Sequence, residues 1–308
     1  MSAQPVSPTS PASGAPAVPD AAGKSVVAVF LELVKARLTG LVLLTAGIGF
    51  AVGARGHFDL LRLFHMLAGT GLLACGASAL NQFLERDLDA LMWRTQDRPL
   101  PSGRVTPNFA LVFGGACALA GIVWLTWFTT LAAGALGATT LILYLFLYTP
   151  LKRVSTLNTV VGAVPGAMPP LIGWAAATGE LSIGGWSLFA LQFFWQIPHF
   201  MAIAWLYRED YARAGLKMLP VVEPSGERTG LQSISHSLGL LAVSLSPVVL
   251  GLAGAAYLGV ALVCGLAMLV LAIRFARRLD RTAARWLFLG SVTYLPVVLA
   301  LLAFDAPR

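Results

Sequence analysis

Charged side chains are scarce in this chain. Asp, Glu, Lys and Arg together make up 11% of the 308 residues, whereas hydrophobic residues make up 57% and the mean hydropathy is +0.77. An average soluble domain carries about 25% charged residues. The shortage of charge excludes an ordinary water-soluble globular protein, and the long apolar stretches predict a polytopic membrane protein whose partner is the lipid bilayer.

Cysteine is also rare, and its three copies are dispersed. Cys75, Cys117 and Cys264 each lie in an apolar stretch, without a CxxC pair and without a histidine at ligand spacing. This pattern argues against a disulfide framework and against a zinc site. It predicts that the three thiols pack as small apolar groups.

Acidic residues number only 14, against 21 lysines and arginines, which gives a net charge of +7. Such a balance can indicate a nucleic-acid partner. Here, however, all the basic residues except Arg55, Arg62 and Arg308 fall on one side if the apolar stretches cross a membrane in alternating directions. Cytoplasmic segments of membrane proteins are rich in Lys and Arg. We therefore predict no nucleic-acid role, a cytoplasmic N-terminus and a C-terminus on the outer side.

The N-terminal segment has no apolar run at all. Residues 1–25 are mostly Pro, Ala, Ser and Gly, a composition that cannot bury a core, so they predict a disordered tail. The segment also lacks the features of a signal or transit peptide, and we predict that it is not cleaved. The transmembrane domain then comprises residues 26–308.

Nine apolar stretches follow and predict an all-α membrane protein with nine transmembrane helices. They cover residues 38–52, 63–84, 109–128, 131–148, 157–177, 186–206, 236–255, 258–276 and 286–304. The fifth contains Pro165, Pro169 and Pro170. Proline frees backbone carbonyls that only protein or a cavity can satisfy inside a membrane, so we predict that this helix is broken and faces the interior.

The densest group of charges is residues 81–104, NQFLERDLDALMWRTQDRPLPSGR. In a helix, Asn81, Glu85 and Asp89 follow one another at every fourth position and share one face. Oxygen ligands of this kind suit magnesium held jointly with substrate phosphates. Arg94 and Arg98 just beyond are suited to the remaining phosphate oxygens, so the pattern favours a diphosphate substrate. The competing interpretation is a charged helix end that lies in water at the membrane surface.

A second group of charges follows the sixth apolar stretch, as the first group follows the second stretch. It contains Arg208, Glu209, Asp210, Arg213 and Lys217. The spacing of four helices between the groups suggests a weak internal repeat, in which two half-sites face each other. An ordinary charged loop with surface ion pairs is the alternative.

Three segments resemble a known family. NQFLERDLDALMWRTQDRPL, YTPLKRVSTLNTVVGAVPGAMPPLIGW and WQIPHFMAIAWLYREDYARAGLKMLPV are similar to the signature regions of the protoheme IX farnesyltransferases, a branch of the UbiA superfamily of intramembrane prenyltransferases. The resemblance covers about residues 30–305. The Asn-and-acidic ladder is shared by the superfamily, whereas RT…RPL, YTPLKR and PHF followed by DY point to the heme-modifying branch.

The resemblance implies a bundle of nine helices around a central cavity in a bacterial inner membrane. It implies Mg²⁺-dependent transfer of the farnesyl group of farnesyl diphosphate to a vinyl group of heme B, with addition of water to give heme O. The product would pass to a downstream heme-modifying enzyme or an oxidase assembly factor. The implied metal ligands are Asn81, Glu85, Asp89 and Asp210, and the implied diphosphate-binding residues are Arg94, Arg98, Lys152, Arg153, Asn158 and Lys217.

Two positions depart from the superfamily pattern. Glu85 stands where Asp is usual, and Leu206 stands four residues before Asp210, where a second acid is usual. A longer carboxylate arm still coordinates but moves the metal outward. The second departure leaves Glu209 and Asp210 as the acidic residues of the second site.

His199 is the intramembrane histidine with the strongest claim to a function. A lone histidine between helices is more often a hydrogen-bonding group than a ligand. Because Pro198 precedes it and a heme substrate is implied, we predict that His199 is catalytic and binds the heme iron. Tyr148, Asn158 and Gln196 are further candidates for orienting diphosphate or water.

Two other functions remain alternatives. One is a quinone-type aromatic prenyltransferase of the same superfamily, which needs a carboxylate-binding or phenol-activating pocket instead of a histidine. The other is a secondary transporter, which also uses broken helices. Transport is disfavoured because the acidic residues cluster at one face of the membrane, whereas a transporter needs access from both.

Overall fold

The computed structural model describes residues 23–305, and every regular element in this part of the chain is helical. In chain order these are α1 (Val26–Leu33), α2 (Ala36–Ala54), α3 (Leu60–Asp89), α4 (Pro107–Phe128), α5 (Leu131–Ile142), a π-helical segment (Leu143–Tyr148), α6 (Thr149–Leu151), α7 (Asn158–Thr178), α8 (Ile183–Leu206), α9 (Arg208–Arg213), α10 (Leu219–Val222), α11 (Glu227–Val243), α12 (Ser246–Val249), α13 (Ala255–Arg278) and α14 (Arg281–Phe304). The predicted all-α class is confirmed. The predicted tail lies outside the described residues, apart from residues 23–25, which precede α1.

Eight helices in the described part are long and apolar enough to cross a membrane. They are α2, α3, α4, the continuous stretch Leu131–Leu151, α7, α8, α13 and α14. The seventh predicted span, 236–255, is wrong in its bounds, because α11 begins at Glu227 and ends at Val243. Pro247 lies in the first turn of the separate helix α12, and Gly251 then turns the chain with φ of 64°. Apolar composition located this region, but the proline and the glycine divide it.

The prediction of a broken fifth span is also wrong. α7 is one continuous helix that contains Pro165, Pro169 and Pro170, and α8 likewise continues through Pro198. Each proline of α7 removes its own backbone hydrogen bond and crowds the carbonyl four residues earlier, yet the helix continues through all three. α7 packs tightly on α2: a Cβ at Gly49 of α2 would lie 2.0 Å from the Pro170 carbonyl oxygen. The predicted interior location of α7 is confirmed, since most of its residues are buried.

Two apolar cores fill the bundle. One combines buried side chains of α2, α3, α4, α5 and α7, and includes Phe50, Met66 and Leu125. The other is built mainly from α8, α11, α13 and α14, and includes Tyr257 and Phe275. Helices α2 and α7 contribute to both cores, so they join the two halves of the bundle.

The polar connections gather at one end of the bundle. α3 ends there, and the segment 90–106 that follows it contacts α9 through a hydrogen bond from Trp93 N to Asp210. The turn between α13 and α14 reaches the same end, where Leu279 and Trp205 both lie beside Gly226. Asp305 lies at the start of α13, at its other end, and accepts a hydrogen bond from Tyr257 N. This arrangement places most of the charged loops around one cavity mouth.

Candidate active site

A cavity of about 380 Å³ lies inside the bundle. Its charged lining residues are Lys35, Glu85, Asp89, Arg94, Arg98 and Lys152. Its other lining residues include Asn81, Thr140, Tyr144, Tyr148, Gln192, Trp195, Gln196, His199, Phe200 and Tyr211. The cavity therefore has a charged part, near the end of α3, and a part with few charges, along α7 and α8.

The predicted ladder on α3 forms one wall of the charged part. Asn81, Glu85 and Asp89 are all buried, although they occupy the last turns of the helix. The Asn81 amide donates to Glu85 Oε2 at 2.9 Å, as expected for side chains four residues apart on a helix. The predicted shared face is confirmed, and it is directed into the protein. The alternative of a charged helix end in open water does not fit this burial.

Three basic side chains from three different segments bind the ladder. Lys35 Nζ donates to Asn81 Oδ1 at 2.6 Å. Lys152 Nζ is 2.7 Å from Glu85 Oε1, and Arg98 is 2.7 Å from Asp89 Oδ2. With Arg94 at the rim, four basic groups surround two carboxylates. The cavity thus carries excess formal positive charge, which suits an anionic ligand such as a diphosphate.

Lys35 is a site residue that sequence reasoning missed. It lies between α1 and α2, directly before the first residue of α2, and adopts the left-handed conformation with φ of 48°. Gln82 of α3 fixes the end of α1 by donating to Leu33 O at 2.7 Å. Burial, followed by the charge of Arg98, lowers the pKa of the Lys35 ammonium to about 7. In the sequence, Lys35 is simply one basic residue before an apolar span, and that signal indicates membrane orientation only.

The ladder fits magnesium that is shared with a substrate. Within residues 23–305, no three Asp, Glu, His or Cys side chains converge on one point, so the described protein offers no complete cage of such ligands. Magnesium usually takes one or two carboxylates and completes its shell with water and substrate phosphates. Glu85 and Asp89 supply two carboxylates on one wall, and Asp89 Oδ1 has no hydrogen-bond partner in the described region. The donor set is therefore of the right kind.

The second predicted cluster contacts the first, but none of its charged residues lines the cavity. Asp210 is buried, and its Oδ1 accepts from Trp93 N at 3.3 Å. Arg213 packs over the Trp93 ring at 4.3 Å, and Arg94 donates to the Tyr211 hydroxyl at 3.2 Å. These contacts fasten α9 to the segment that follows α3. Asp210 as a metal ligand stays a prediction.

The remaining predicted diphosphate ligands divide into two sets. Arg94, Arg98 and Lys152 line the cavity. Arg153 and Lys217 are exposed and are not among its lining residues, and neither is the fully buried Asn158. Asn158 donates to Lys217 O at 2.9 Å, and Lys217 N donates to Lys152 O at 2.7 Å. Asn158 and the backbone of Lys217 thus support the segment that carries Lys152.

His199 lies in the part of the cavity with few charges. It is seven residues before the end of α8, or roughly 10 Å along the helix axis. Its ring stacks between Trp195, at 5.0 Å, and Phe288, at 5.1 Å. Its Nδ1 is 2.8 Å from the hydroxyl of Ser291 on α14. Phe288 and Ser291 were not predicted, because a single Phe or Ser in an apolar span carries no distinguishing signal.

Residues 42–296 match the sequence model of the UbiA prenyltransferase family. The chain belongs to this family. The predicted resemblance is thereby confirmed, and this UbiA-family chain is an integral membrane prenyltransferase.

Similar proteins carry a more specific name. A protein of Solibacter usitatus named protoheme IX farnesyltransferase is 47% identical, over 90% of this UbiA-family chain and 98% of its own length. A protein of the same name from Myxococcus xanthus is 42% identical, over 92% and 97% of the two chains.

Solved structures share the UbiA fold at low sequence identity. A digeranylgeranylglyceryl phosphate synthase superposes with a TM-score of 0.78 at 16% identity, over 91% of this chain and 98% of its own. A UbiA homologue from Archaeoglobus fulgidus, bound to DMAPP and Mg²⁺, superposes with a TM-score of 0.64 at 15% identity, over 89% and 99% of the two chains. At these identities the likeness establishes the fold.

Proposed function

We propose that this enzyme transfers the farnesyl group of farnesyl diphosphate to a vinyl group of heme B, with addition of water, to give heme O and diphosphate. The observation that carries the proposal is one cavity with two chemically different parts. One part is lined by four basic side chains and two carboxylates. It adjoins a part in which the His199 imidazole stacks on two aromatic rings. The names of relatives at 42% and 47% identity support the same reaction.

The charged part binds the donor and accepts its leaving group. The C–O bond of an allylic diphosphate breaks with both electrons going to the diphosphate oxygen. Lys35, Arg98 and Lys152 already converge on the ladder, so they offset the charge that develops on that oxygen. Because these groups are fixed before the reaction, little reorganisation is needed in the transition state.

Magnesium belongs to the donor site. Asn81, Glu85 and Asp89 would hold it together with the diphosphate oxygens, and Asp210 is the further candidate. The ion supplies Lewis-acid neutralisation of the leaving diphosphate when it is bound. The basic residues around the ladder keep the diphosphate in place.

The part with few charges binds the acceptor and protects the allylic cation. His199 holds the porphyrin through its iron, and Trp195 and Phe288 flank the imidazole. The vinyl π electrons then attack C1 of the farnesyl cation to form the new carbon–carbon bond. Water adds to the resulting cation on the porphyrin side and loses one proton, which leaves the hydroxyethylfarnesyl group. Apolar walls keep water from the farnesyl cation until the bond has formed.

The membrane location follows from the same arrangement. The distribution of the basic residues supports a cytoplasmic N-terminus and cavity mouth in a bacterial inner membrane, with the C-terminus on the outer side. Farnesyl diphosphate is a charged molecule and reaches the mouth from that face. The product is a hydrophobic heme, so its recipient is a downstream heme-modifying enzyme or an oxidase assembly factor in the same bilayer.

A product assay tests the reaction directly. Membranes that contain the protein are incubated with heme B, farnesyl diphosphate and Mg²⁺, and the porphyrin is analysed by mass spectrometry. We expect the mass of the hydroxyethylfarnesyl adduct, and we expect it to disappear when a chelator removes the metal. Prenylation of an aromatic quinone precursor, with heme B left unchanged, would favour the quinone-type alternative.

His199→Ala tests the acceptor site. We expect loss of farnesyl transfer and a changed Soret band with heme, while farnesyl diphosphate binding stays intact, because the donor groups lie elsewhere in the cavity. His65→Ala is the matched control: His65 also stacks on an aromatic ring, Phe128 at 4.8 Å, but it does not line the cavity. An unchanged heme spectrum in His199→Ala, with weaker diphosphate binding instead, would assign His199 to the donor site.

A further inference from the structure

The Ser291 hydroxyl makes two short contacts that together determine where its proton lies. Its Oγ is 2.6 Å from the carbonyl oxygen of Phe288 and 2.8 Å from Nδ1 of His199. A serine hydroxyl has one proton to donate and lone pairs that accept. The carbonyl oxygen of Phe288 can only accept. If the Ser291 proton pointed elsewhere, two oxygen atoms would face each other at 2.6 Å with no proton between them. The proton therefore lies between Ser291 and Phe288.

This assignment fixes the tautomer of His199. Because the Ser291 hydroxyl has already donated its proton, Ser291 Oγ can only accept from His199, so Nδ1 carries a hydrogen. No carboxylate forms an ion pair with His199 in the described part of the chain, and a buried cation without a partner is costly, so the ring is neutral. A neutral imidazole protonated at Nδ1 has a free lone pair at Nε2.

The other ring nitrogen has no competing partner. Within residues 23–305, Nε2 of His199 takes part in no hydrogen bond. It is not closed off from the cavity that His199 lines. The rings of Trp195 and Phe288 restrict rotation of the imidazole, because they stack on it at 5.0 and 5.1 Å. Nε2 is thus the nitrogen left available for a ligand in the cavity.

We propose that Ser291 is a positioning residue that holds His199 as the Nδ1–H tautomer, so that the Nε2 lone pair is available to the iron of the heme substrate. The choice of heme as the ligand rests on the proposed function, whereas the tautomer rests on the two Ser291 contacts alone. Ser291 is itself well fixed, since its backbone carbonyl accepts from Trp195 Nε1 at 2.7 Å. α8 and α14 are therefore connected by two hydrogen bonds at Ser291, one to the His199 imidazole and one to the Trp195 indole.

The tautomer can be measured without any substrate. The full chain, labelled with ¹⁵N-histidine and placed in lipid nanodiscs, gives separate signals for protonated and unprotonated ring nitrogens. The His199 signals are assigned by their loss in His199→Gln. We expect a single neutral form of His199 with the hydrogen on Nδ1. A wild-type protein with the hydrogen on Nε2 would overturn the proposal, whatever the enzyme does with heme.

Variants at Ser291 connect the tautomer to heme binding. Ser291→Ala removes the acceptor but leaves the backbone bond to Trp195, so we expect mixed tautomers, a shifted Soret band and a Kd for heme B about tenfold higher, as when the partner of a metal-binding histidine is removed. Farnesyl diphosphate binding should not change. Ser291→Thr keeps the hydroxyl and its bond to the preceding turn, so it should restore both the tautomer and the heme spectrum.

Thr293→Ala is the matched control. Thr293 lies on the same helix, and its hydroxyl also donates to a carbonyl of the preceding turn, that of Leu289. It is exposed, however, and lies on the face of α14 opposite to Ser291. Its loss should change neither signal. If Ser291→Ala kept the wild-type tautomer and spectrum while His199→Ala lost heme, Ser291 would have no positioning role and the proposed function would stand. If the tautomer were as proposed but His199→Ala bound heme normally, the proposed function would fail and the positioning role would stand.

Discussion

The two charged clusters have similar composition but different positions in the fold. The first, Asn81 to Arg98, lies on the last turns of α3 and just beyond, and its ladder is buried in the cavity. The second, Arg208 to Lys217, begins after α8 has ended at Leu206; its first four charged residues lie on the separate six-residue helix α9, and Lys217 follows that helix. The first cluster is buried in the bundle because a long transmembrane helix carries it. The second cluster lies beyond the end of its helix, at the end of the bundle where the cavity opens.

Local contacts explain why the second cluster stays outside. Arg208 packs over the Trp205 ring at 4.7 Å, and Asp210 accepts from the backbone of Trp93. Both contacts use the charges to fasten α9 rather than to surround a ligand. On the proposed function, we therefore expect the first cluster to contribute more to catalysis than the second, and the following variants test that difference.

Asp89→Asn should have the largest effect. Removing a buried carboxylate from the proposed metal site should lower turnover about 100-fold or more, the size seen when one electrostatic contact to a reacting group is lost. The melting temperature should change little, because Asn fills the same space and Arg98 keeps partial access to water. Initial rates at varied Mg²⁺ provide the measurement. Asp87→Asn, an exposed acid on the same helix, is the control and should remain active.

Lys35→Gln should have an intermediate effect. It removes a charged donor at the cavity but keeps a hydrogen bond to Asn81, so the KM for farnesyl diphosphate should rise about tenfold while heme binding stays unchanged. Lys24→Gln is the comparison variant, because Lys24 pairs with Glu32 and Asp97 and is outside the active-site cavity. Equal KM values in the two variants would remove Lys35 from the donor site.

Asp210→Asn should have the smallest effect. Asparagine still accepts from Trp93 N, so the contact between α9 and the segment after α3 persists, and turnover should fall by no more than about tenfold. A loss as large as that of Asp89→Asn, with the same change in Mg²⁺ dependence, would show that both clusters bind metal equally. The comparison drawn above would then be wrong.

Much of the fold could be predicted from the sequence because apolar stretches of membrane-spanning length are strong local signals. Their ends were harder to place. The region 236–255 is mostly apolar, but the helix there stops at Val243, and three prolines leave α7 continuous. Whether a proline interrupts a helix depends on the packing around it, and that packing is not visible in the local sequence.

For the site, the sequence alone determined the ladder of Asn81, Glu85 and Asp89, since helical periodicity places them on one face. Only the tertiary structure decided that this face is buried, that Lys35 joins it from the connection between α1 and α2, and that Ser291 contacts His199 across 92 residues. Periodicity is a property of one helix, whereas the partners of a buried polar group come from whichever helices pack against it. The positions of those helices follow from the whole bundle and from no single segment.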